Sequence, residues 1–236
     1  MNKKRKEIQT ARMWRYFLDA TSELIKEKEL HQITIREIAD RAGYTSSTVY
    51  NYFRDLSHLK FFAVMRFTKS YIQDLPTYME KGNNTIDKWL FAWECFCKHS
   101  FELPQIYSLL YIENLGTIPE ELMQNYYQVY SNELIDLSDE VQSILHHHNI
   151  ATRSSMYIQT AVDERFIEKD DIEYIADTTM LIWTGMLTNM LNLRSRYSKK
   201  EATARTMSYI YKSIMYTLNP EKRDEITYTY GEQPDA

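Results

Sequence analysis

Residues 34–53 read TIREIADRAGYTSSTVYNYF, and this stretch decides the fold of the N-terminal part of the chain. Its first half predicts a short amphipathic helix from Thr34 to Ala42, because the apolar residues recur at helical spacing. These residues are Ile35, Ile38, Ala39 and Ala42. Gly43 then predicts the end of the helix, since glycine adopts the left-handed conformation after a helix without a Cβ penalty.

The second half of the stretch predicts another short helix. Thr45 is placed to cap it through its hydroxyl group, while Val49 and Phe53 face inward at i and i+4. Most of the other side chains of this helix are able to form hydrogen bonds. Two short helices joined by about three residues with a glycine form a helix-turn-helix, whose second helix enters the DNA major groove. A polar helical hairpin in an all-α protein is the alternative.

The segment resembles the DNA-binding domain of TetR-family transcriptional regulators, and the resemblance runs from Met13 to Leu59. The matching residues are Thr34, Ile35, Ile38, Ala39, Ala42, Gly43, Thr48, Val49, Tyr50 and Phe53. This resemblance implies a three-helix head that binds an operator in double-stranded DNA. It also implies a helical body that binds a small-molecule effector and forms a homodimer, with an effector that shifts the helix connecting head and body.

Two positions depart from the family pattern. Glu29 stands where a glycine usually follows the first helix, and Leu56 stands where a phosphate-contacting lysine is usual. The second departure leaves Arg54, His58 or Lys60 to supply positive charge near this end of the head. Leu56 also motivates an alternative function, an all-α interaction module whose head no longer binds DNA.

The candidate DNA-contacting residues lie on the second helix of the motif and close to it. The resemblance places Tyr50 against the DNA backbone, while Asn51 can pair with adenine and Arg36 with guanine or a phosphate. The full predicted set is Arg36, Thr45, Ser46, Ser47, Thr48, Tyr50, Asn51, Tyr52 and Lys60.

Composition favours an all-α protein with a substantial core. The 236 residues are 44% hydrophobic and 14% aromatic, with five Gly and five Pro, which argues against disorder and against loop-rich folds. No membrane span or secretory signal is evident, so we expect a cytoplasmic protein. Cys95 and Cys97 point to nearly opposite sides of a helix, and we expect a reduced, buried pair.

The charge is distributed unevenly. The chain carries a formal net charge of −5, yet residues 1–60 hold 12 Lys and Arg against 8 Asp and Glu, which leaves 16 against 25 for the remainder. A basic segment followed by an acidic one fits a DNA-binding domain over 1–60 and an effector-binding and dimerisation domain over 61–236. Lys3, Lys4, Arg5 and Lys6 are predicted to form a basic arm before the first helix, or a solvated end.

Apolar spacing and turn residues place the remaining helices. A first helix is predicted from Ile8 to Lys28, and a helix capped by Asp55 is predicted to run toward Pro76 as the connection between head and body. A turn at Lys81–Asn84 follows. Further helices are expected over 85–103, 106–114, 120–146, 153–166, 170–194 and 198–218, with a break at 116–119. Gly185, inside one of these helices, suggests close helix contact.

Metal and catalytic sites have little support in the sequence. His146, His147 and His148 are consecutive and spread over about 200° of a helix, so they cannot all face one ion. There is no nucleophile motif, phosphate loop or paired-carboxylate signature. We therefore expect no enzyme, no cofactor and no metal, with the histidines solvated at a helix end.

The aromatic residues of the body are the candidates for effector binding. Tyrosine and tryptophan rings can line a pocket that is apolar yet offers hydrogen-bond donors. The predicted set is Trp89, Trp93, Phe96, Tyr107, Tyr111, Tyr126, Tyr127, Tyr130, Met180 and Trp183. A solid aromatic core without a cavity is the alternative for any one of them. The lining suits an apolar or aromatic effector, and the helices over 170–194 and 198–218 are predicted to form a homodimer through a four-helix contact.

Overall fold

The fold is taken from a computed structural model that describes residues 3–113, 149–194 and 196–230. Within these ranges all regular structure is helical, as the composition predicted. No helix in the described ranges is long and apolar enough to cross a membrane. The expected helix over 120–146 and the break at 116–119 lie outside the described residues. The described part of the chain divides into two compact units, one up to Lys69 with Glu113 and one formed by the rest.

The first unit is built from four α-helices and two short 3-10 turns. The helices are α1 (Lys3–Glu27), α2 (Ile35–Ala42), α3 (Ser46–Tyr50) and α4 (Leu56–Met65), and the turns are Leu30–Gln32 and Arg66–Thr68. Helix α1 packs against α2 and α4, while α2 packs against α3. The expected basic arm is wrong in its conformation, because Lys3 to Lys6 already belong to α1.

The core of the first unit is strongly aromatic. The ring of Trp14 lies 5.0 Å from that of Phe53 and 4.7 Å from that of Phe62, measured between centroids. Phe17 and Val49 are fully buried between the same helices. Four of the six inward positions predicted for the motif are buried, and they fix α3 against α1. These residues are Ile38, Ala39, Val49 and Phe53, while Ile35 and Ala42 are only half-buried.

The predicted continuous helix from Asp55 toward Pro76 is interrupted. Asp55 does cap α4, since its carboxylate accepts a hydrogen bond of 2.9 Å from the His58 amide. Helix α4 ends at Met65, and the 3-10 turn separates it from α5 (Lys69–Met79), which contains Pro76. The hydroxyl of Thr68 donates to the carbonyl of Met65 at 2.7 Å within this turn. Two helices therefore replace the one that was predicted.

The second unit is a helical bundle around α6 (Thr85–Glu102). The other helices are α7 (Pro104–Tyr111), α8 (Ile150–Ile158), α9 (Thr160–Asp163), α10 (Asp171–Leu191) and α11 (Lys199–Thr217), followed by a 3-10 turn over Pro220–Glu225. Helix α6 contacts α7, α8, α10 and α11, which makes it the central helix of the described bundle. The predicted single helix over 153–166 is two helices, α8 and α9.

Several local predictions for this unit are confirmed. Asn84 caps α6 after the predicted turn, and Ser198 caps α11 in a capping box with Glu201. Cys95 and Cys97 are buried free thiols. The suggestion of close contact at Gly185 is wrong within the described residues of this chain, because a Cβ atom there would meet no atom within 4 Å.

Candidate DNA-binding surface and aromatic core

Helix α2 begins at a capping box formed by Thr34 and Glu37. The Thr34 hydroxyl oxygen accepts from the Glu37 amide at 3.3 Å, and the Glu37 carboxylate accepts from the Thr34 amide at 3.0 Å. The Lys28 ammonium also donates to this carboxylate. These contacts, that of Lys28 first, lower the pKa of Glu37 to about 2. The start of the motif is thereby fixed to the end of α1.

Gly43 makes the turn between α2 and α3 as the sequence predicted. Its φ angle is +79°, in the left-handed region. The Gly43 amide donates to the Asp40 carbonyl at 3.2 Å, and the Tyr44 amide donates to the Ala39 carbonyl at 2.8 Å. These bonds satisfy carbonyl groups that a helix end leaves without partners.

Helix α3 is shorter than predicted, and its cap differs in detail. Thr45 occupies the N-cap position with extended dihedral angles, but its side chain caps no backbone amide. Its hydroxyl is instead hydrogen-bonded to the hydroxyl of Ser47 at 2.8 Å and to that of Thr48 at 3.0 Å. The helix ends at Tyr50, so Asn51 follows as its C-cap rather than lying inside it. The result is a compact hydroxyl-rich surface.

Most of the predicted DNA-contacting side chains face solvent. Arg36, Thr45, Ser47, Tyr50 and Asn51 are exposed, with Tyr50 57% exposed. Three others are half-buried, namely Ser46, Thr48 and Tyr52. The ring of Tyr52 packs 6.1 Å from that of Phe17, so this tyrosine has a structural role as well. Eight of the nine residues are thus at least partly accessible to solvent.

Lys60 does not belong to this surface. Its side chain is buried, and its ammonium donates to the carbonyl of Leu30 at 2.5 Å. Burial lowers the pKa of Lys60, against a smaller raising effect of Glu113. The expectation that Lys60 contacts DNA is therefore not supported, because its charge is used to hold the 3-10 turn after α1. Its apolar neighbours Leu59 and Phe61 were the sequence signal for burial.

The surroundings of Leu56, where the family pattern has a lysine, show which residue could supply the missing charge. Leu56 begins α4 and is half-buried, so it presents no cation at this position. Arg54 lies two residues before Leu56 in the sequence. Its guanidinium is half exposed and donates to the Asp55 carboxylate at 2.9 Å. His58 is half-buried, and burial lowers its pKa. Arg54 is thus the best-placed of the three expected substitutes for the missing lysine.

The aromatic residues of the body form one connected cluster. Phe96 lies at its centre, with ring centroids of Tyr107 at 5.5 Å, Tyr111 at 5.7 Å and Trp183 at 5.0 Å. Trp93 joins at 5.6 Å. Met180 is half-buried, while Trp89, Trp93, Phe96, Tyr107 and Trp183 are buried. Tyr126, Tyr127 and Tyr130 lie outside the described residues.

Polar groups in the same region are organised around two serines. The indole groups of Trp89 and Trp93 donate to the Ser154 hydroxyl at 2.9 and 3.3 Å, and that of Trp183 donates to Ser100 at 2.9 Å. The Tyr107 hydroxyl, by contrast, is buried without a hydrogen-bond partner among the described residues. Burial raises the pKa of Tyr107. An unused donor therefore lies inside an otherwise satisfied aromatic cluster.

Arg153 is a buried cation that no sequence pattern singled out. It is 6% exposed, and its guanidinium donates to the Tyr111 hydroxyl at 3.3 Å. The guanidinium carbon also lies 5.7 Å from the centroid of the Tyr111 ring. The described residues hold no group of three His, Cys, Asp or Glu side chains suited to a metal ion, and His146 to His148 lie outside them.

Comparison with known proteins agrees with this geometry. The sequence model of the family of bacterial regulatory proteins called tetR matches residues 17–58. These residues contain α2, α3 and the C-terminal part of α1. The N-terminal segment of the chain thus matches the tetR family of bacterial regulatory proteins. No curated protein sequence matches the chain at a significant level.

Solved TetR-type structures share the fold over nearly the whole chain. SmeT, the repressor of the Stenotrophomonas maltophilia multidrug efflux pump SmeDEF, has a TM-score of 0.55 at 15% identity, covering 94% of this chain and 96% of SmeT. FadR of Thermus thermophilus is a TetR-family repressor that was solved with lauroyl-CoA. It has a TM-score of 0.57 at 10% sequence identity, covering 94% of this chain and 100% of that FadR. The fatty acid degradation regulator FadR of Bacillus halodurans has a TM-score of 0.52 at 13% sequence identity, covering 84% of this chain and 93% of that FadR.

These likenesses establish a TetR fold for the body as well as for the head. At such low identity they show the fold alone. The family model ends at residue 58, so the body must be interpreted from its own residues.

Proposed function

We propose that this protein is a ligand-responsive, DNA-binding transcriptional regulator that acts as a homodimer and leaves its operator when an effector binds. The observation that supports this most directly is the division of side chains in α2 and α3. Ile38, Ala39 and Val49 are buried, while Arg36 and Tyr50 on the same two helices are exposed. An exposed polar surface on a rigid aromatic scaffold suits the major groove.

Within this proposal the exposed side chains have different tasks. Tyr50 and the hydroxyl groups of α3 position the head on phosphate oxygens. Asn51 pairs with an adenine and Arg36 with a guanine or a phosphate, each contact worth about 1–3 kcal/mol of discrimination. Arg36 can extend, because its ion pair with Asp40 is a loose 3.9 Å contact and its side chain is 86% exposed.

The exposed faces of α10 and α11 support a homodimer. On α10, Tyr174, Leu181 and Gly185 lie at i, i+7 and i+11 and therefore share one face, with Leu181 72% exposed. On α11, Tyr209 and Tyr216 lie seven residues apart, and Tyr216 is 89% exposed. Two such helices from each protomer would bury these side chains in a four-helix contact.

The aromatic cluster supports a mostly apolar effector. Rings around Phe96 offer the apolar surface, and the unused Tyr107 hydroxyl offers one donor to a ligand oxygen. A structural relative was solved with lauroyl-CoA, and another represses a multidrug efflux pump. The effector must bind the DNA-incompetent state more tightly than the competent state if it is to shift the population.

The decisive experiment selects bound fragments from random duplex DNA with the full chain. We expect a palindromic consensus and an affinity that falls steeply as salt rises, because counterions are released from the phosphates. Adding medium-chain fatty acids or aromatic drugs should weaken binding to the selected operator. Failure to enrich any sequence, together with binding that is insensitive to salt, would favour an interaction module instead.

A further inference from the structure

A cavity lies in the body, apart from the aromatic cluster. It has a volume of about 350 Å³, within the range of small-molecule sites. Helices α5, α6 and α11 form three of its walls, and the segment after Glu225 forms the fourth. Its lining residues are Tyr78, Glu94, Lys98, Glu102, Lys199, Lys200, Thr203, Ala204, Met207, Tyr228 and Thr229.

The fourth wall is held in place by a buried carboxylate. Asp87, near the start of α6, is fully buried and accepts hydrogen bonds from the Thr227 amide at 3.0 Å, the Thr227 hydroxyl at 2.6 Å and the Tyr228 amide at 3.0 Å. The Tyr228 ring also packs 4.9 Å from that of Phe91. Tyr228 is therefore a fixed part of the cavity wall.

The cavity carries an excess of positive charge. Three lysines and two glutamates line it. Lys199 is paired with Glu102 at 2.8 Å across the end of the cavity. Lys98 donates to the Tyr78 hydroxyl at 3.2 Å, and Lys81 lies outside the lining, 4.1 Å from the Tyr78 ring centroid. The positive charges of Lys81 and Lys98 exceed the single negative charge of Glu94. The charge of Lys200 is therefore not balanced by a carboxylate of the lining.

The rest of the lining is mostly apolar, with two threonines. Met207, Ala204 and the Tyr78 ring form the apolar part, and the threonines are Thr203 and Thr229. The Tyr228 hydroxyl is buried beside the Glu94 carboxylate and interacts with it. This interaction occupies part of the negative charge of Glu94 and leaves the lysines to attract an anion.

We propose that this cavity binds a small organic carboxylate with an apolar body, such as an aromatic acid. The carboxylate would lie between the Lys98 and Lys200 ammonium groups, where charge-assisted hydrogen bonds are strong. The apolar body would cover Met207 and the Tyr78 ring. The surplus of lysines disfavours a cation, and a ligand without charge would leave those ammonium groups partly desolvated without a partner.

This site differs from the proposed effector site in place and chemistry, and it does not depend on DNA binding. The cavity face of α11, with Lys200 and Met207, also lies away from its exposed Tyr209 and Tyr216 face. A homodimer formed through Tyr209 and Tyr216 therefore leaves the cavity open. A ligand bound here would bridge α6, α11 and the segment after Glu225, and would stabilise the body.

The test uses isothermal titration of the full chain with three probes of one shape: 2-naphthoate, 2-naphthylmethanol and 2-naphthylmethylamine. We expect the anion to bind at least tenfold more tightly than the alcohol or the amine. Lys98→Met and Lys200→Met should each weaken naphthoate binding about tenfold, as expected for the loss of one charge-assisted bond. Lys88→Met is the matched control, since Lys88 is an exposed lysine of α6 outside the lining.

Tyr107→Phe locates the bound probe. If the proposal is right, naphthoate binding survives Tyr107→Phe in the aromatic cluster and is weakened by Lys98→Met in the cavity. Equal affinity for the three probes would overturn the proposal, as would binding that Tyr107→Phe abolishes and Lys98→Met leaves intact. Circular dichroism melting checks that each variant is folded, and the comparison of the three probes on the unchanged chain holds even if a variant is not.

Discussion

The Arg41 guanidinium on α2 donates two parallel hydrogen bonds, each 2.8 Å long, to the two carboxylate oxygens of Glu27 at the end of α1. A third bond of 3.3 Å reaches Glu23. This forked contact raises the pKa of Arg41 and fixes the orientation of its side chain. Arg36, one and a half turns earlier on α2, has no comparable contact and extends into solvent.

The two arginines should therefore behave differently when each is replaced by alanine. Arg36→Ala is expected to weaken operator binding by about 1–3 kcal/mol with little change in stability. Arg41→Ala removes the same charge from the same helix but is expected to act mainly on the free energy of unfolding. Fluorescence anisotropy with the selected operator and chemical denaturation separate the two effects. Equal loss of DNA affinity in both variants would show that only total charge matters.

A pair of glycines offers a similar comparison of stability. Gly43→Ala is expected to destabilise the protein by about 1–2 kcal/mol, because the φ angle of +79° is unfavourable for a residue with a Cβ atom. Gly185→Ala is expected to stabilise it by up to about 1 kcal/mol, because Gly185 lies in a helix and its Cβ would meet no atom within 4 Å. Denaturation at several protein concentrations measures both. A neutral Gly43→Ala would contradict the turn geometry.

The capping box predicts a dependence on pH. The folded-state pKa of Glu37 is about 2, below its ordinary value of 4.5, so the carboxylate stabilises the fold fully above pH 4.5. This contribution is lost as the pH falls through the folded-state pKa. Glu37→Gln should therefore lower thermal stability at neutral pH and make no difference near pH 2. High salt should reduce the effect, because Glu37 and Lys28 are partly exposed.

Tyr107→Phe is expected to change stability and ligand binding in opposite directions. Removing a buried hydroxyl without a partner relieves a cost of about 1–3 kcal/mol, so the variant should unfold at a higher temperature without ligand. An effector that uses this donor should then bind more weakly. Differential scanning calorimetry with and without medium-chain fatty acids measures both quantities. A less stable variant would show that the hydroxyl has a partner in the folded protein.

Leu181→Glu tests the proposed dimer. A charge at this 72% exposed position on α10 is expected to shift the sedimentation profile toward monomer at micromolar concentration, since a buried unpaired carboxylate is costly. Leu103→Glu is the control, because Leu103 is also an exposed leucine but lies between α6 and α7. A dimer that persists in both variants would place the interface elsewhere.

The sequence predicted the motif well because its signals are local. The end of α2 at Gly43 and the cap at Asp55 depend on neighbouring residues, and both are confirmed. The prediction that the Thr45 hydroxyl caps a backbone amide was wrong, because the hydroxyl groups of Ser47 and Thr48 compete with the backbone amides for it. The break between α4 and α5 carries no proline or glycine, so no sequence signal marked it.

The errors at single sites arose from tertiary contacts. Lys60 lies thirty residues from Leu30, whose carbonyl its ammonium contacts, and no local pattern encodes that pairing. Arg153 gave no signal because its burial depends on distant parts of the chain: α8 packs against α6 and α10, and the Arg153 guanidinium contacts Tyr111. The aromatic effector candidates were found as a group, since large rings in amphipathic helices tend to meet in the core, but their polar partners Ser100 and Ser154 were not.

Asp87 has a consequence for the order in which the protein is completed during synthesis. Its carboxylate is buried near the start of α6, while three of its donor groups belong to Thr227 and Tyr228, about 140 residues later. Until the ribosome has released those residues, α6 would have to bury an ionised carboxylate that lacks them, which is costly. We therefore expect the head to fold while the chain is still being made and the body to reach its final packing after release.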